Sequence, residues 1–267
     1  MFLCIDIGGT KTLIALLDPA GKILHSIQFP TIDDQTRFYK TLRQQLRASF
    51  VLSRVKVIAV AMPGIVKDNC AIYLGNLPWK NFDIASQLTA DFAKPVFVNN
   101  DANLAGLAEA RQASGRTLYL TLSTGIGGGI VDDGVIRQRH NDFEPGHLVY
   151  EYHGQSAEWE DIASANAIVR LHGKYVNEIT DPDDWRDIAA RVALGLAPLI
   201  RRYRPNRIIL GGPLGLCLDN YRLPLRKLLR TALGDNVELP RLLCAKYGKF
   251  SVIHGCYLYA KSQLATR

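Results

Sequence analysis

The residues best suited to chemistry lie near the middle of the chain, where Asn99, Asn100, Asp101 and Asn103 follow one another almost without a break. The apolar run at 96–98 predicts a short strand before them, and the pattern at 102–113 predicts a helix after them. A helix N-cap would explain one of these side chains, Asn100 or Asp101, but not four. Open α/β sheets bind ligands at the carboxyl ends of their strands. We therefore expect hydrogen bonds to a polyhydroxylated molecule and one carboxylate for proton transfer.

Two glycine-rich segments flank this cluster in the chain. Gly8, Gly9, Thr10 and Lys11 follow a predicted strand, where glycines permit positive φ and bring backbone N–H groups close to an anion. A hairpin alone also favours glycine, so a simple turn and a phosphate site both stay open for this segment. The second segment, 124–129, has more glycines than a hairpin needs. It predicts phosphate binding.

The elements that must hold these residues have a layout that occurs twice. Each glycine-rich segment stands between strands, and an Asp-containing turn and a third strand follow. Two hairpins could match by chance, but helical segments follow both copies, which favours a duplicated domain whose halves face each other across a cleft. We predict a smaller N-terminal domain of residues 1–112 plus 250–267 and a larger C-terminal domain of residues 113–249.

Short motifs spread over nearly the whole chain resemble those of the ROK family of repressors, open reading frames and kinases, and they occur in the order found in that family. They are Asp6-Ile7-Gly8-Gly9-Thr10-Lys11, Met62-Pro63-Gly64-Ile65-Val66, Asn76-Leu77-Pro78-Trp79, Asn100-Asp101-Ala102-Asn103, Thr124-Gly125-Ile126-Gly127-Gly128-Gly129, Glu144-Pro145-Gly146-His147 and Ile209-Leu210-Gly211-Gly212. The resemblance implies an α/β fold of the actin-like ATPase or ribonuclease H-like type, duplicated into two domains around a central cleft that holds a sugar and a phosphoryl donor.

The resemblance also implies a role for each matching residue. Asp101 would be the general base, and Asp6 would reach Mg²⁺ through water. Glu158 and Asp161 are close alternatives to Glu160 on the same predicted helix. The implied sugar ligands are Gly64, Asn100, Asp101, Glu144, His147 and Glu160, and the implied phosphate and nucleotide ligands are Gly8, Gly9, Thr10, Lys11, Thr124, Gly125, Gly127, Gly211 and Gly212.

The chain departs from the family in one segment. Many ROK proteins follow the histidine with a C-x-C-G-x-x-G-C zinc motif, but residues 148–159 contain no cysteine. We expect no structural zinc, which leaves His147 without a metal role. Packing of Tyr150, Tyr152 and Trp159 would hold the segment instead, and His153 would be an ordinary loop residue.

Composition narrows the class of protein. The chain has 267 residues with no apolar run of about 20 residues that a bilayer requires, and it opens without a basic signal segment. Its cysteines are scattered, which favours a reducing compartment and a cytoplasmic location. The net charge of +7 favours anionic ligands. Four arginines between 201 and 207 contribute to it, and a solvated helix end is the simplest interpretation of that cluster.

Three functions remain to be compared. The first is an ATP-dependent kinase with Mg²⁺ that phosphorylates glucose or a relative such as fructose, mannose, allose or N-acetylmannosamine. The second is a glucokinase that uses polyphosphate, a donor that the basic charge would suit. The third is a sugar-sensing repressor, for which we expect no DNA-binding module to fit before Gly8. We expect a homodimeric enzyme with no nucleic acid or membrane partner, and the dimer rests on the resemblance alone.

Overall fold

The structure is a computed structural model and describes residues 1–75, 77–111, 113–137, 140 and 142–266. Asn76 of the Asn-Leu-Pro-Trp motif lies outside the described residues, as do Gln112 at the predicted domain boundary and the C-terminal Arg267. Contacts divide the chain into two compact units, Met1–Ala108 with Lys249–Arg267, called unit 1, and Glu109–Gly248, called unit 2. The domains drawn from the sequence stay a prediction, because compactness does not test independent folding.

Strands and helices follow one another along both units. The strands are β1 Phe2–Ile7, β2 Lys11–Leu17, β3 Ile23–Pro30, β4 Val57–Met62, β5 Ile65–Lys67, β6 Cys70–Tyr73, β7 Lys80–Phe82, β8 Val96–Asn100, β9 Arg116–Leu122, β10 Ile126–Asp132, β11 Val135–Ile136, β12 Val149–Tyr152, β13 Gln155–Glu158, β14 Arg207–Gly211 and β15 Arg241–Cys244. The helices are α1 Gln35–Ser49, α2 Ile84–Phe92, α3 Asp101–Glu109, α4 Trp159–Ala163, α5 Ala165–His172, α6 Pro182–Tyr203, α7 Gly212–Leu216, α8 Leu218–Leu233 and α9 Ser251–Ala265.

Unit 1 is built on a sheet with the strand order β3-β2-β1-β4-β8. The first three strands are antiparallel, whereas β1, β4 and β8 run parallel. All six residues of β4 are buried, as expected for a central strand covered on both faces. On α1, Phe38, Leu42 and Leu46 recur every fourth residue and join the core beside the sheet. The carboxyl ends of the parallel strands therefore lie along one edge.

The C-terminal helix α9 belongs to unit 1. It packs against β1 and β4, and its Tyr257 hydroxyl donates to the carbonyl of Pro19 at 2.9 Å. At Gly255 a Cβ would collide with the backbone carbonyl of Leu104 in α3. Glycine is needed there so that the two helices can approach closely.

Unit 2 repeats the sheet of unit 1. Its order is β11-β10-β9-β14-β15, again with antiparallel strands on one side and the parallel strands β9, β14 and β15 on the other. Trp159 is fully buried, donates its indole N–H to the carbonyl of Arg191 at 3.1 Å, and fills the space left by Gly195 of α6. The matching strand orders support the duplication that the glycine segments predicted.

Two small sheets were not expected from the sequence. β5, β6 and β7 form one in unit 1, and β12 pairs with β13 in a hairpin in unit 2. The segment of residues 148–159, expected as a loop, is therefore mostly strand, although Tyr150 and Trp159 do pack on the unit 2 core as expected. Such short, half-exposed strands lack the long apolar run that marks a strand in a sequence. Within the described residues, no helix combines the length and the hydropathy needed to cross a bilayer.

Candidate active site

Asp101 stands at the junction of β8 and α3. It is the first residue of the helix, is half-buried, and accepts a hydrogen bond from the backbone N–H of Ala102 at 2.7 Å through Oδ1. Only one oxygen of the carboxylate is engaged by that bond. A carboxylate can accept several further hydrogen bonds, so Asp101 keeps the capacity to take a proton.

The three asparagines beside Asp101 make hydrogen bonds to other protein groups. Asn100 accepts from the backbone N–H of Asn103 at 2.9 Å and donates to the carbonyl of Gly64 at 2.8 Å. Asn99 accepts from the backbone N–H of Asn100 at 2.8 Å. All three side chains are buried. Asn100 therefore caps the first turn of α3 and holds the loop at Gly64, whereas Asn99 and Asn103 engage protein groups without capping the helix.

Gly64 lies in the loop that follows β4, with φ of 76°. A Cβ at this position would collide with the backbone carbonyl of Tyr73, so a larger residue would displace the loop. The bond from Asn100 holds this loop against the end of β8. Gly64 and Asp101 thus belong to the same edge of the unit 1 sheet.

Two carboxylates influence each other at this edge. Burial raises the pKa of Asp101 to about 6, although the bond from the Ala102 N–H favours the ionised form. Burial and then the negative charge of Asp101 raise the pKa of Asp6 to about 7, while Lys11 opposes that rise. Close to neutral pH the two carboxylates therefore titrate as a coupled pair.

The first glycine segment forms a tight turn between β1 and β2. The Gly8 N–H donates to the carbonyl of Lys11 at 3.0 Å, and the Thr31 hydroxyl donates to the carbonyl of Gly8 at 2.8 Å. Neither Gly8 nor Gly9 adopts a positive φ, so that part of the expected reason for glycine was wrong, while the approach of an anion to the backbone stays a prediction. A Cβ on Gly9 would meet no atom within 4 Å. The bare backbone of the exposed Gly9 leaves room for a ligand to approach.

The second glycine segment is mostly strand rather than turn. The turn itself is short, with the Ser123 N–H donating to the carbonyl of Gly125 at 2.9 Å, and the following glycines lie in β10. At Gly128 a Cβ would reach within 2.7 Å of Pro145, so packing accounts for that residue. The number of glycines is thus weaker evidence for phosphate binding than the sequence indicated, and a phosphate role for Thr124 and Gly125 in the turn stays a prediction.

Glu160 ties the second glycine turn to the segment around Gly146. Its Oε2 accepts from the backbone N–H of Ile126 at 3.1 Å and occupies the space that a Cβ on Gly125 or Gly146 would need. The side chain is half-buried. Of the three carboxylates that the sequence left open on this helix, Glu160 is the one placed beside both glycines.

His147 ends the short 3₁₀ turn Pro145–His147, which Glu144 precedes. Its Nδ1 lies 2.8 Å from a carboxylate oxygen of Glu158 at the end of β13. That hydrogen bond is the main cause that raises the pKa of His147, and the charges of Glu160, Glu158 and Glu144 add to it against the effect of burial. The contact with Glu158 was missed in the sequence, because the hairpin that brings residues 147 and 158 together was read as a loop.

The same side chains form a group with metal-ligand chemistry. His147, Glu158 and Glu160 each place one nitrogen or oxygen within 4.8 Å of the others. These are donor types that zinc accepts. The absence of zinc that the missing cysteines suggested therefore stays a prediction. The sequence did not indicate that His147 lies beside Glu158 and Glu160, so the expectation that His147 has no metal role stays a prediction as well.

Gly211 ends β14 and Gly212 follows it, at the edge where β9 also ends. Gly211 pairs with Thr121, and Gly212 has φ of 73°. A Cβ on Gly212 would lie 2.5 Å from the carbonyl of Leu122, the last residue of β9. Glycine at this position lets the turn after β14 lie directly against the end of the strand that leads to Thr124 and Gly125.

We expect Glu158→Gln to lower the pKa of His147, because a neutral amide stabilises the imidazolium less than a carboxylate does. An NMR titration of the His147 ring signals, assigned with a His147→Asn variant, measures the change. Glu151→Gln removes an exposed carboxylate from β12 of the same hairpin and should leave this pKa where it is in the wild type. Equal His147 titration curves in the wild type and Glu158→Gln would contradict the pairing.

Comparison with known proteins gives the family. The ROK family model matches residues 2–263. A glucokinase of Streptomyces coelicolor is 25% identical over 269 aligned positions, which cover 84% of this chain and 85% of that protein.

Solved structures agree with the family match. The ROK hexokinase of Thermus thermophilus is 26% identical with a TM-score of 0.78, over 100% of this chain and 99% of that one. The inorganic polyphosphate/ATP-glucomannokinase of an Arthrobacter strain is 27% identical with a TM-score of 0.73, over 98% of both chains. Together with the sheet order that occurs in both units, these matches show that the chain belongs to the ROK family and has its actin-like ATPase fold.

Proposed function

We propose that this protein is a sugar kinase that transfers the terminal phosphoryl group of ATP to a hydroxyl of a hexose, with glucose as the first candidate. The oxygen of the sugar hydroxyl attacks the terminal phosphorus, the bond from that phosphorus to the bridging oxygen breaks, and ADP leaves with the bonding electrons. Asp101 takes the hydroxyl proton. Glucokinase and hexokinase relatives over most of the chain support this choice.

The observation that carries the proposal is the state of Asp101. A general base works best when its pKa lies near the working pH and it is ionised before the reaction. Burial brings the pKa of Asp101 to about 6, which leaves it mostly ionised at neutral pH but able to accept a proton. The network of Asn99, Asn100 and Asn103 fixes the start of α3 that carries it.

The remaining residues bind rather than transfer protons. We assign Glu144, His147 and Glu160 to the sugar hydroxyls, with Glu158 orienting His147 through the 2.8 Å contact. Asn100 acts mainly by holding Gly64 in place. The turns at Gly8–Lys11 and Thr124–Gly125 bind phosphate, together with Gly127 in β10, and the turn at Gly211–Gly212 binds the nucleoside side of ATP. Phosphoryl transfer depends chiefly on such positioning and on charge stabilisation.

Mg²⁺ fits the carboxylates at the edge of unit 1. Asp6 is a buried carboxylate whose pKa is raised by burial and by the charge of Asp101, and a divalent cation nearby would relieve that repulsion. Carboxylate and water oxygens are the ligands Mg²⁺ prefers. When bound with ATP, the ion would neutralise charge on the phosphates. Asp6 would hold it through water, as the family resemblance implied.

Polyphosphate is a second candidate donor. The Arthrobacter relative is named for both inorganic polyphosphate and ATP, and this chain carries a net charge of +7. We place ATP first because the turn at Gly211–Gly212 lies beside the turn at Thr124–Gly125. The second of these turns would bind the phosphates of ATP and the first its nucleoside, which polyphosphate lacks. Zinc independence, a homodimeric state and a cytoplasmic location remain predictions from the sequence.

A panel that crosses glucose, mannose, fructose, allose and N-acetylmannosamine with ATP and with polyphosphate tests the proposal. We expect a hexose phosphate by mass spectrometry with ATP, and the highest kcat/KM with glucose. Rates with the two donors decide between them. If neither donor yields a phosphorylated sugar from the pure protein, the proposed activity is wrong.

Asp101→Asn should lower kcat by about 10²–10⁴-fold, because the amide cannot accept the proton. The amide oxygen can still accept the bond from Ala102, so the fold and the KM for sugar should change little. Asp83→Asn is the matched control, since Asp83 caps α2 by accepting from the N–H of Ser86. It should keep full activity. A kcat for Asp101→Asn above about a tenth of the wild-type value would remove Asp101 from the role of base.

The pH dependence of kcat/KM should show an acid limb. A base must be deprotonated to act, so activity should be present above the pKa of Asp101 and be lost as the pH falls through about 6. Because Asp6 titrates near it, with a pKa of about 7, the measured value belongs to the pair. A rate that stays flat through this range would show that neither carboxylate must be ionised.

A further inference from the structure

Unit 2 contains a cavity that the proposed reaction does not use. Its volume is about 870 Å³. The charged groups that line it are Arg201, Arg204, Arg207, Arg241 and Glu238. Three of the arginines come from the cluster that the sequence suggested was a solvated helix end, whereas Arg241 and Glu238 come from a segment about 30 residues further on. Only the fold brings them together.

The cavity lies at the opposite edge of the sheet from the glycine turns. Arg207 and Arg241 are the first residues of the parallel strands β14 and β15 and pair with each other in register. Gly211 ends β14 at the other edge, where Gly212 and the turn after β9 lie. At about 3.3 Å per residue the length of β14 separates the two edges by roughly 13 Å. The cavity is therefore distinct from the phosphate turns of unit 2.

Some of the arginines are already held in place. Arg201 donates to the carbonyl of Ala232 at 2.6 Å and Arg207 to the carbonyl of Ser114 at 2.5 Å. Each bond uses one of the five N–H donors of a guanidinium and leaves the others for a ligand. The backbone N–H of Arg204 donates to Ile200 and fixes that residue at the end of α6. For Arg201 and Arg207, part of the entropy of positioning the guanidinium group is thus spent on folding rather than on binding.

The charge in the cavity is not balanced by protein groups. Among the described residues that line the cavity there are four arginines and one carboxylate, that of Glu238. Among the described residues, the side chains of Arg204, Arg241 and Glu238 make no hydrogen bond or ion pair. Guanidinium groups bind phosphate oxygens in a bidentate way and stay charged at any physiological pH.

We propose that this cavity is a second ligand site, which binds a small molecule carrying two or more phosphoryl groups. The volume lies within the range of about 300–1,000 Å³ that is usual for small-molecule sites. Several converging guanidinium groups suit a multiply charged anion better than a single carboxylate. The site does not depend on the proposed kinase reaction, and it offers a place where a phosphorylated metabolite or a short inorganic phosphate chain could bind to this protein.

Isothermal titration calorimetry of the full chain in roughly 0.15 M salt tests the site. The probes are inorganic tripolyphosphate and a hexose bisphosphate, each added after saturation with glucose and a non-hydrolysable ATP analogue. We expect both to bind, and Arg204→Gln/Arg241→Gln to weaken binding by about 10- to 100-fold, since each substitution removes charged hydrogen bonds. Sugar phosphorylation without the probe should stay unchanged in this variant.

Two matched variants separate a built site from general attraction to a basic protein. Arg226→Gln/Lys227→Gln removes two positive charges from exposed positions of α8 outside the cavity and should change the affinity by less than about twofold. Arg204→Lys/Arg241→Lys keeps the charge but loses the planar fork, and should bind more weakly than the wild type. If the Gln double variant fails to fold by circular dichroism, Arg241→Gln alone, at an exposed strand end, should still weaken binding.

Three results would overturn the proposal. One is equal weakening by the cavity and the α8 double variants, which would show charge attraction only. Another is that neither tripolyphosphate nor the hexose bisphosphate binds at about 1 mM. The third is affinity that keeps rising with chain length when long polyphosphates replace tripolyphosphate, because a cavity of 870 Å³ cannot enclose a long chain and an extended surface would then be the binding site.

Discussion

Parallel pairing of the central strands is the constraint on which both units depend. In unit 1, β1 pairs with β4 and β4 with β8, so Asp6, Gly64 and Asp101 all come after or at the ends of strands that point the same way. In unit 2, β9 and β14 are parallel neighbours, which places Gly211 and the turn after Leu122 at one edge. Strand pairing therefore brings residues that are far apart in the chain to one edge of each sheet. At such an edge, open α/β sheets bind ligands.

The polar side chains at the candidate ligand-binding edges of the two sheets have different surroundings. In unit 1 burial raises the pKa values of both Asp6 and Asp101, and the negative charge of Asp101 raises that of Asp6 further. In unit 2 Glu160 accepts a backbone N–H and His147 contacts Glu158. The first arrangement favours exchange of a proton, whereas the second favours fixed hydrogen bonds. This contrast supports the assignment of proton transfer to one unit and of hydroxyl binding to the other.

The opposite edge of the unit 2 sheet shows how one scaffold can carry two kinds of site. The strands that end at Gly211 and Leu122 begin near Arg207 and Arg116, and arginines crowd that beginning. Arg116 is neutralised by Asp132 at 2.6 Å, but the guanidinium groups of Arg204 and Arg241 have no such partner among the described residues. Part of the positive charge of the chain thus lines one solvent-accessible cavity, which is the physical basis for treating it as an anion site.

The sequence by itself indicated the family and a layout of strands and glycine segments that occurs twice, because glycine spacing and short motifs are local patterns. It also singled out Asp101 as a polar residue after an apolar run, and the catalytic role of that residue stays a prediction. It did not determine why the glycines are there. Gly8 and Gly9 have ordinary φ angles, and Gly128 makes room for Pro145, a contact that requires the folded chain.

Likewise, Asn100 holds Gly64 through a hydrogen bond that depends on the pairing of β4 with β8, and its expected role as a sugar ligand stays a prediction. The His147–Glu158 contact, the choice of Glu160 among its neighbours and the arginine cavity were decided by tertiary structure alone. Each joins segments whose approach is set by strand pairing and core packing, and a single sequence carries no direct record of those distances.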